Sequence, residues 1–270
     1  MTERPEHLPD YSHPPVHEVV AGVQFDSLPL ELIDFGRLWE RFLPRYRTQS
    51  AQMPLDPVFE TFVQRASRKS LRPQIQVMDR LELPRAWFIS EDESDLLQIQ
   101  RDRLIHNWRK RSGGTTYPHF ESVLAELFRD VETVRSFFRE TKEGWSDFEV
   151  NQCEVVYVNH IPSNGMRCGE IFSVWNTDCV LGDFERGSMN ITSVIRRGEN
   201  PTARLRVDIK PLMDENDALI WQLSLTYRGS PQEPTWESAA ETLKEGREHI
   251  VQNFTNLTTA KMHTAWGRKR

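Results

Sequence analysis

The chain has 270 residues, 38% of them hydrophobic and 10% aromatic, with eight tryptophans. That is enough apolar material for one large domain or two small ones, and it excludes general disorder. A formal charge of −6 gives no overall attraction for nucleic acid or acidic lipid, so any such binding must come from a local patch.

The opening "MTERPEHLPDYSHPP" carries charge and proline where a signal peptide needs an apolar run, and no apolar stretch approaches the ~18 residues that cross a bilayer. The expectation is a cytoplasmic protein without membrane partners, with residues 1–14 as a flexible segment. "VHEVVAGVQF" alternates with period two and reads as a strand. In "LELIDFGRLWERFL" the residues Leu32, Phe35, Trp39 and Phe42 make a helical stripe, with Ser27 as a candidate cap and Pro44 as the stop. Residues 48–82 are broken by prolines and read as a long connection with one short strand at "QIQVMD". "RAWFIS" and "DLLQIQRD" are strands joined by the acidic turn "EDES". Alternation breaks near Asp102, where the second strand either continues or bulges into "RLIHNWR", and the register stays open.

The strongest helix is "HFESVLAELFRDVETVRSFFRET", where Phe120, Val123, Leu127, Val131, Val134 and Phe138 form one stripe and Gly144 closes it. "FEVNQCEVVYVNHIP" is a strand ended by proline, and residues 163–187 show no clear pattern. "SMNITSVIRR" and "ARLRVDIKPL" flank the turn "GENP" as a hairpin, and "ALIWQLSLTYRG" is the last strand. A long helix runs from the cap Thr235 to about Trp266, with its stripe on Trp236, Ala239, Leu243, Ile250, Phe254 and Leu257. Short strands joined by turns imply antiparallel pairing. The class is therefore α+β: a curved, mainly antiparallel sheet with helices on one face. The single domain spans 15–262 in two halves, 15–145 and 146–262, that share a grammar. The basic residues 263–270 read as a solvated tail.

Chemistry is sparse. Cys153, Cys168 and Cys179 lack the close pairing of a structural zinc site, so reduced thiols and no metal or cofactor are expected. Asp208-Ile-Lys210 matches an acid-x-lysine pattern of metal-dependent nucleases. It lies on "RLRVDIK", however, where alternation alone makes Arg204, Arg206, Asp208 and Lys210 a polar strand face. His106 and His160 sit near strand ends without a nucleophile in sequence, and Cys153 and His160, seven apart, fall on opposite faces. No GxxxxGK[ST] or GxGxxG occurs.

The informative stretch is "RDRLIHNWRKRSGGTTYPH". Arg101, Arg103, Arg109, Lys110 and Arg111 with Trp108 and Tyr117 have the ingredients of an anionic or single-stranded nucleic-acid surface. Exposed cations at a strand end account for them equally well, so nucleic acid is not favoured. Glu18, Gln98, Asn107 and Asn159 are polar residues within strands of buried ones and need partners. Together with Arg101, Trp108, Arg109 and Tyr117 they are the candidates for a ligand or partner site, with Glu18 expected to pair with an arginine.

"HPPVHEVVAGVQF" resembles a PPxxE…QF opening, "LLQIQRDRLIHNWRK…TTYPHFES" a Q…R…NWR…YP core, and "VVYVNHI" a YxNxI strand. Together they resemble an uncharacterised, sporadically distributed prokaryotic protein family of about this length. By position the signature residues are Pro15, Glu18, Phe25, Gln98, Arg101, Asn107, Trp108, Arg109, Tyr117, Pro118, Tyr157 and Asn159. The resemblance carries no catalytic residue. The patchy distribution of that family implies accessory systems of the defence or toxin–antitoxin kind, and the chain's own residues read as a binding or interaction module for a protein or small ligand. A nucleic-acid-processing enzyme using 98–117, and a structural subunit of a larger assembly, are the alternatives.

Overall fold

The computed structural model describes residues 5–62, 83–111, 116–175 and 187–270. The elements are β1 (Val16–Phe25), α1 (Leu32–Phe42), β2 (Thr48–Gln52), β3 (Arg85–Ile89), β4 (Asp95–Gln100), β5 (Arg103–Arg109) and α2 (Phe120–Thr141), then β6 (Val150–Pro162), α3 (Cys168–Ile171), β7 (Met189–Arg197), β8 (Asn200–Met213), β9 (Leu219–Gly229), α4 (Trp236–Leu257) and α5 (Ala260–Ala265). All strands join one open antiparallel sheet in the order β2-β3-β4-β5-β1-β6-β9-β8-β7. The fold is α+β.

The order contains an internal repeat that the residues do not spell out. A strand (β1, β6) leads to a helix (α1, α3) and a three-stranded meander (β3–β5, β7–β9) whose last strand returns beside the first. A long helix then covers that pair: α2 lies on β5 and β1, α4 on β9 and β6. The halves meet at the antiparallel β1–β6 pairing, where Ala21 faces Val155 and Val23 faces Cys153.

Alternation divides the sheet cleanly. Val19, Ala21, Val23 and Phe25 of β1 face the helices, as do Val155 of β6 and Leu223 and Leu225 of β9. Phe120, Val123, Leu127, Val131, Val134 and Phe138 of α2 descend on them as expected, and all six are buried. α4 follows its expected stripe with Thr235 as the cap, its Oγ1 accepting from Ser238 N at 3.2 Å. Gly246 allows that helix close to the sheet, because a Cβ there would stand 2.5 Å from the Tyr227 ring.

Several expectations are corrected. α1 keeps most of its expected stripe, with Phe42 buried and Phe35 and Trp39 packed against the core, but Leu32 is 68% exposed and Leu38 is buried beside them. Its cap is Glu31, not Ser27. Asp34 is buried instead, its Oδ2 accepting from Glu31 N at 2.9 Å and pairing with Lys142 at 2.9 Å. No bulge interrupts Asp102. Arg101 and Asp102 are a two-residue hairpin turn between Gln100 and Arg103, which face each other. The closing helix breaks at Thr258–Thr259 and restarts as α5. Strand β2 was not foreseen within 48–82, and "QIQVMD" lies outside the described residues.

The termini also differ from expectation. Residues 5–14 and the basic end are packed together. Leu8 is fully buried, Tyr11 bridges Arg268, Lys269 N donates to Asp10 O, Asp10 N donates to Arg270 O, and Arg270 Nε donates to Leu8 O.

Leu127 sits at the middle of the buried stripe with no exposure. Leu127→Ala is expected to cost about 2–5 kcal/mol through the cavity left behind. Chemical denaturation checks this, and a wild-type midpoint would mean that α2 does not carry the core.

Candidate functional site

The helix-free face holds a chain of side-chain amides. Arg85 Nη1 and Trp87 Nε1 on β3 donate to Gln98 Oε1 on β4, at 2.9 and 3.1 Å. Gln98 Nε2 donates to Asn107 Oδ1 on β5 at 2.7 Å, and Asn107 Nδ2 donates to Glu18 Oε1 on β1 at 2.7 Å. The chain steps across four adjacent strands and ends on a half-buried carboxylate. Antiparallel pairing explains it: the tight turn at Arg101–Asp102 puts Gln98 and Asn107 on one face, where a regular continuation of the strand would have separated them.

Arg109 lies opposite Glu18 in register, yet the carboxylate is bound by the asparagine. Arg109 Nη2 donates to Glu93 O at 3.0 Å, while its buried Nε has no hydrogen-bond partner. Burial, then the nearby Arg111, hold its pKa below the ordinary arginine value.

At the same end of the sheet a cleft of about 550 Å3 runs between the N-terminal segment, the end of β5, the approach to α2 and the C-terminal residues. A volume of this order suits a small ligand. Its walls include Pro14, Pro15, Trp108, Tyr117 and Trp266, with Lys110, Lys269, His13, His119 and His160. Among the described residues no carboxylate lines it, although Asp10 approaches Lys269 at 3.5 Å from the side. His160 stacks on His17 with centroids 3.9 Å apart. Burial, with His160 and two neighbouring cations, lowers His17 to about 4, and burial lowers His160 as well, so the pair is neutral at neutral pH.

Tyr117 divides this cleft from a smaller apolar pocket under α4, and its hydroxyl meets that of Tyr157 at 2.8 Å. In the inner pocket Arg247 of α4, 4% exposed, is ion-paired with Glu121. Asn159 is fixed by donating to Leu223 O at 3.1 Å.

The expected site residues therefore separate. Glu18, Gln98, Asn107 and Arg109 share the helix-free face. Tyr117 and Asn159 lie on the helix side. Trp108, 4% exposed, packs on Tyr117 at 5.4 Å between centroids. Arg101 joins neither group: it sits in the exposed hairpin turn, its Nε 3.4 Å from Leu28 O. Glu18 meets Asn107 where an arginine was expected. The charge pattern did not reveal Lys269 or His119 as neighbours of Tyr117, because only the chain's return at α5 and the turn before α2 place them there.

His106 has the partners that its sequence neighbourhood lacks. It is fully buried, with Nδ1 3.0 Å from Asp130 Oδ2 and Nε2 3.3 Å from Asp95 Oδ1. Asp130 also accepts from Tyr46 Oη at 2.8 Å and from Arg45 Nη1 at 2.6 Å. Both ring nitrogens face carboxylates, so the group braces α2 against the sheet and the end of α1. Cys153 and Cys168 are buried, and burial raises both thiols above the ordinary value, which makes them poor nucleophiles. Cys179 lies outside the described residues. Asp208 accepts from Asn190 Nδ2 at 3.2 Å, and among the described residues no three His, Cys, Asp or Glu side chains cluster for a metal. Among the same residues no helix is long and apolar enough to cross a membrane. Compared with protein-family models and with curated proteins, the chain matches none.

Asn107→Ala would strand both Gln98 and Glu18 and is expected to cost about 1–3 kcal/mol. Arg109→Ala leaves no buried carboxylate unpaired and should cost less than about 1 kcal/mol. Urea midpoints of the two variants check the contrast, and equal losses would refute it.

Burial alone would lower the pKa of His106, but the hydrogen bonds and charges of Asp130 and Asp95 outweigh it and raise it to about 9. Protonated His106 thus stabilises the fold fully below its unfolded value of about 6.5, and that contribution is lost as pH rises through about 9. Denaturation midpoints should fall across that window in the wild type and stay flatter in His106→Leu. Parallel profiles would mean that the ring is neutral in the fold.

Proposed function

We propose that this chain is a binding module whose ligand is a small anionic molecule held in the cleft between Lys110, Tyr117 and Lys269. One observation carries the reading: in a protein with a net charge of −6, the described residues lining this cleft include two lysines, one of them beside Asp10, and no carboxylate. Such a wall concentrates anions against the overall field. The segments that resemble a prokaryotic family supply much of the same end of the sheet, through Pro15, Trp108, Tyr117 and their neighbours Glu18, Asn107, Tyr157 and Asn159. This convergence supports a binding role in an accessory system of that kind.

A single-stranded nucleic acid is the second reading, favoured by the cations Lys110 and Arg111 beside two aromatics. Trp108 is buried, so only Tyr117 offers a ring for stacking, and the small ligand is preferred. An enzyme acting through Asp208 and Lys210 has less support, since those side chains lie on the other face of the sheet, in the polar row of β8.

Adenosine monophosphate and inorganic pyrophosphate are suitable probes for calorimetry and thermal shift on the full chain. Binding is expected to weaken with salt and to drop about tenfold or more in Lys110→Ala/Lys269→Ala. No heat and no thermal shift with either probe would refute the small-ligand reading. Binding of an oligonucleotide alone would select the second.

A further inference from the structure

The helix-free face carries a second arrangement, away from the cleft and independent of that reading. Residues 54–62 cross the strands as a strap, and side chains from successive strands take hold of its backbone. Gln100 of β4 both accepts from Leu55 N and donates to Leu55 O, each at 2.8 Å. Arg103 of β5 donates to Asp56 O at 2.9 Å, Gln24 of β1 accepts from Val58 N at 3.2 Å, and Gln152 of β6 accepts from Glu60 N at 3.0 Å. Arg204 of β8 donates to Thr61 O at 2.8 Å. From β4 to β8 is five strand spacings, about 24 Å. The six residue steps from Leu55 to Thr61 reach only about 20–22 Å when fully extended. The reach of Gln100 at one end and of Arg204 at the other makes up the difference.

Main-chain groups are what this surface reads, with one exception. Glu60, its side chain 2% exposed, is met by Arg204, by Arg206 at 2.6 Å and by Arg228 at 3.8 Å, and the guanidinium of Arg204 also covers the Phe62 ring at 4.6 Å. Meanwhile Phe59 is 55% exposed, and Leu55 and Val58 are only partly covered. Apolar burial therefore contributes little to holding the strap. Arg206 Nη1 is buried without a hydrogen-bond partner even with the strap in place, so the arginines have capacity beyond one carboxylate.

We propose that this face is a peptide-binding surface occupied in cis by residues 54–62, and that its partner is a protein bearing an extended acidic segment with a glutamate two positions before an aromatic residue. The polar row supplies sequence-independent grip on an extended chain, as an added strand would receive. The three arginines and the open face of Arg204 select the glutamate and the ring. The tethered strap competes at high effective concentration, so the partner binds only where the cis copy is weakened or outmatched.

The test uses a fluorescein-labelled peptide of residues 52–62 and the full chain. Glu60→Gln, which keeps the shape and removes the charge, is expected to bind the peptide about tenfold more tightly than the wild type does. Arg206→Ala on that background should abolish the gain, as should a glutamine in the peptide at the Glu60 position. In the wild type the amides of Leu55, Val58 and Glu60 should exchange about a hundredfold faster than those of β1 and β6, since local opening is what exchange requires. A folded Glu60→Gln chain that binds no better than the wild type would overturn the proposal. So would strap amides as protected as the central strands. Displacement of the peptide by inorganic phosphate at equal concentration would mean that the arginines read charge alone, and would also overturn it. None of these outcomes bears on the nucleotide titrations of the cleft.

Discussion

The antiparallel pairing of β1 with β6 is the constraint on which the remaining architecture depends. It joins two copies of one strand–helix–meander–helix unit through a run rich in small and β-branched residues, Ala21, Val23, Val155 and Val156 among them. Each half alone offers few strands and one long helix, too little surface to bury a stable core. Joined edge to edge, they make one sheet broad enough for α2 and α4 to share a continuous apolar floor. Because both long helices follow the same strand order, both arrive on the same side.

One-sidedness has a direct consequence for the other face. Its polar side chains are not covered by helices, yet Gln24, Gln98, Gln100, Arg103, Asn107 and Gln152 are all buried. Buried amides need partners. Two solutions coexist on this face. Toward one end, Gln98 and Asn107 satisfy each other and terminate on Glu18. Toward the other, Gln24, Gln100 and Gln152 satisfy the backbone of residues 55–60. The first arrangement fixes the register of β3, β4, β5 and β1, since a slip of one residue would turn every member to the wrong side. The second uses the same chemistry to hold a segment with little apolar burial of its own.

On the helix side, the polar groups bear on helix placement. His106, Asp130, Arg45 and Tyr46 tie β5, α2 and the end of α1 together, with His106 and Asp130 fully buried and Arg45 partly exposed. The carboxylate of Asp130 is satisfied from three directions. Arg247 and Glu121 play a comparable part between α4 and the start of α2. Charges withdrawn this far from water are tolerated only in pairs, which accounts for an ion pair at each of these junctions.

What the sequence determined was the local order. Period-two alternation in β1, β3, β4, β6, β8 and β9 and the 3.6-residue stripes of α2 and α4 are written in consecutive side chains. So the class, the antiparallel pairing and one helical face followed from them. The prolines between 54 and 57 marked a segment that is neither helix nor ordinary strand, without saying where it lies. Tertiary structure alone decided which polar residues meet. Glu18 and Asn107 are 89 positions apart and Gln152 and Glu60 are 92, and such contacts depend on strand order, turn geometry and register, none of which is encoded in residues near either partner. The exposure of Leu32 was equally out of reach: it continues the stripe of Phe35, Trp39 and Phe42, and only the packed structure leaves it in solvent while Asp34 is buried beside Lys142. The packing of the basic end against residues 5–12 was likewise invisible, because charge density near a terminus says nothing about a backbone partner at the other end of the chain.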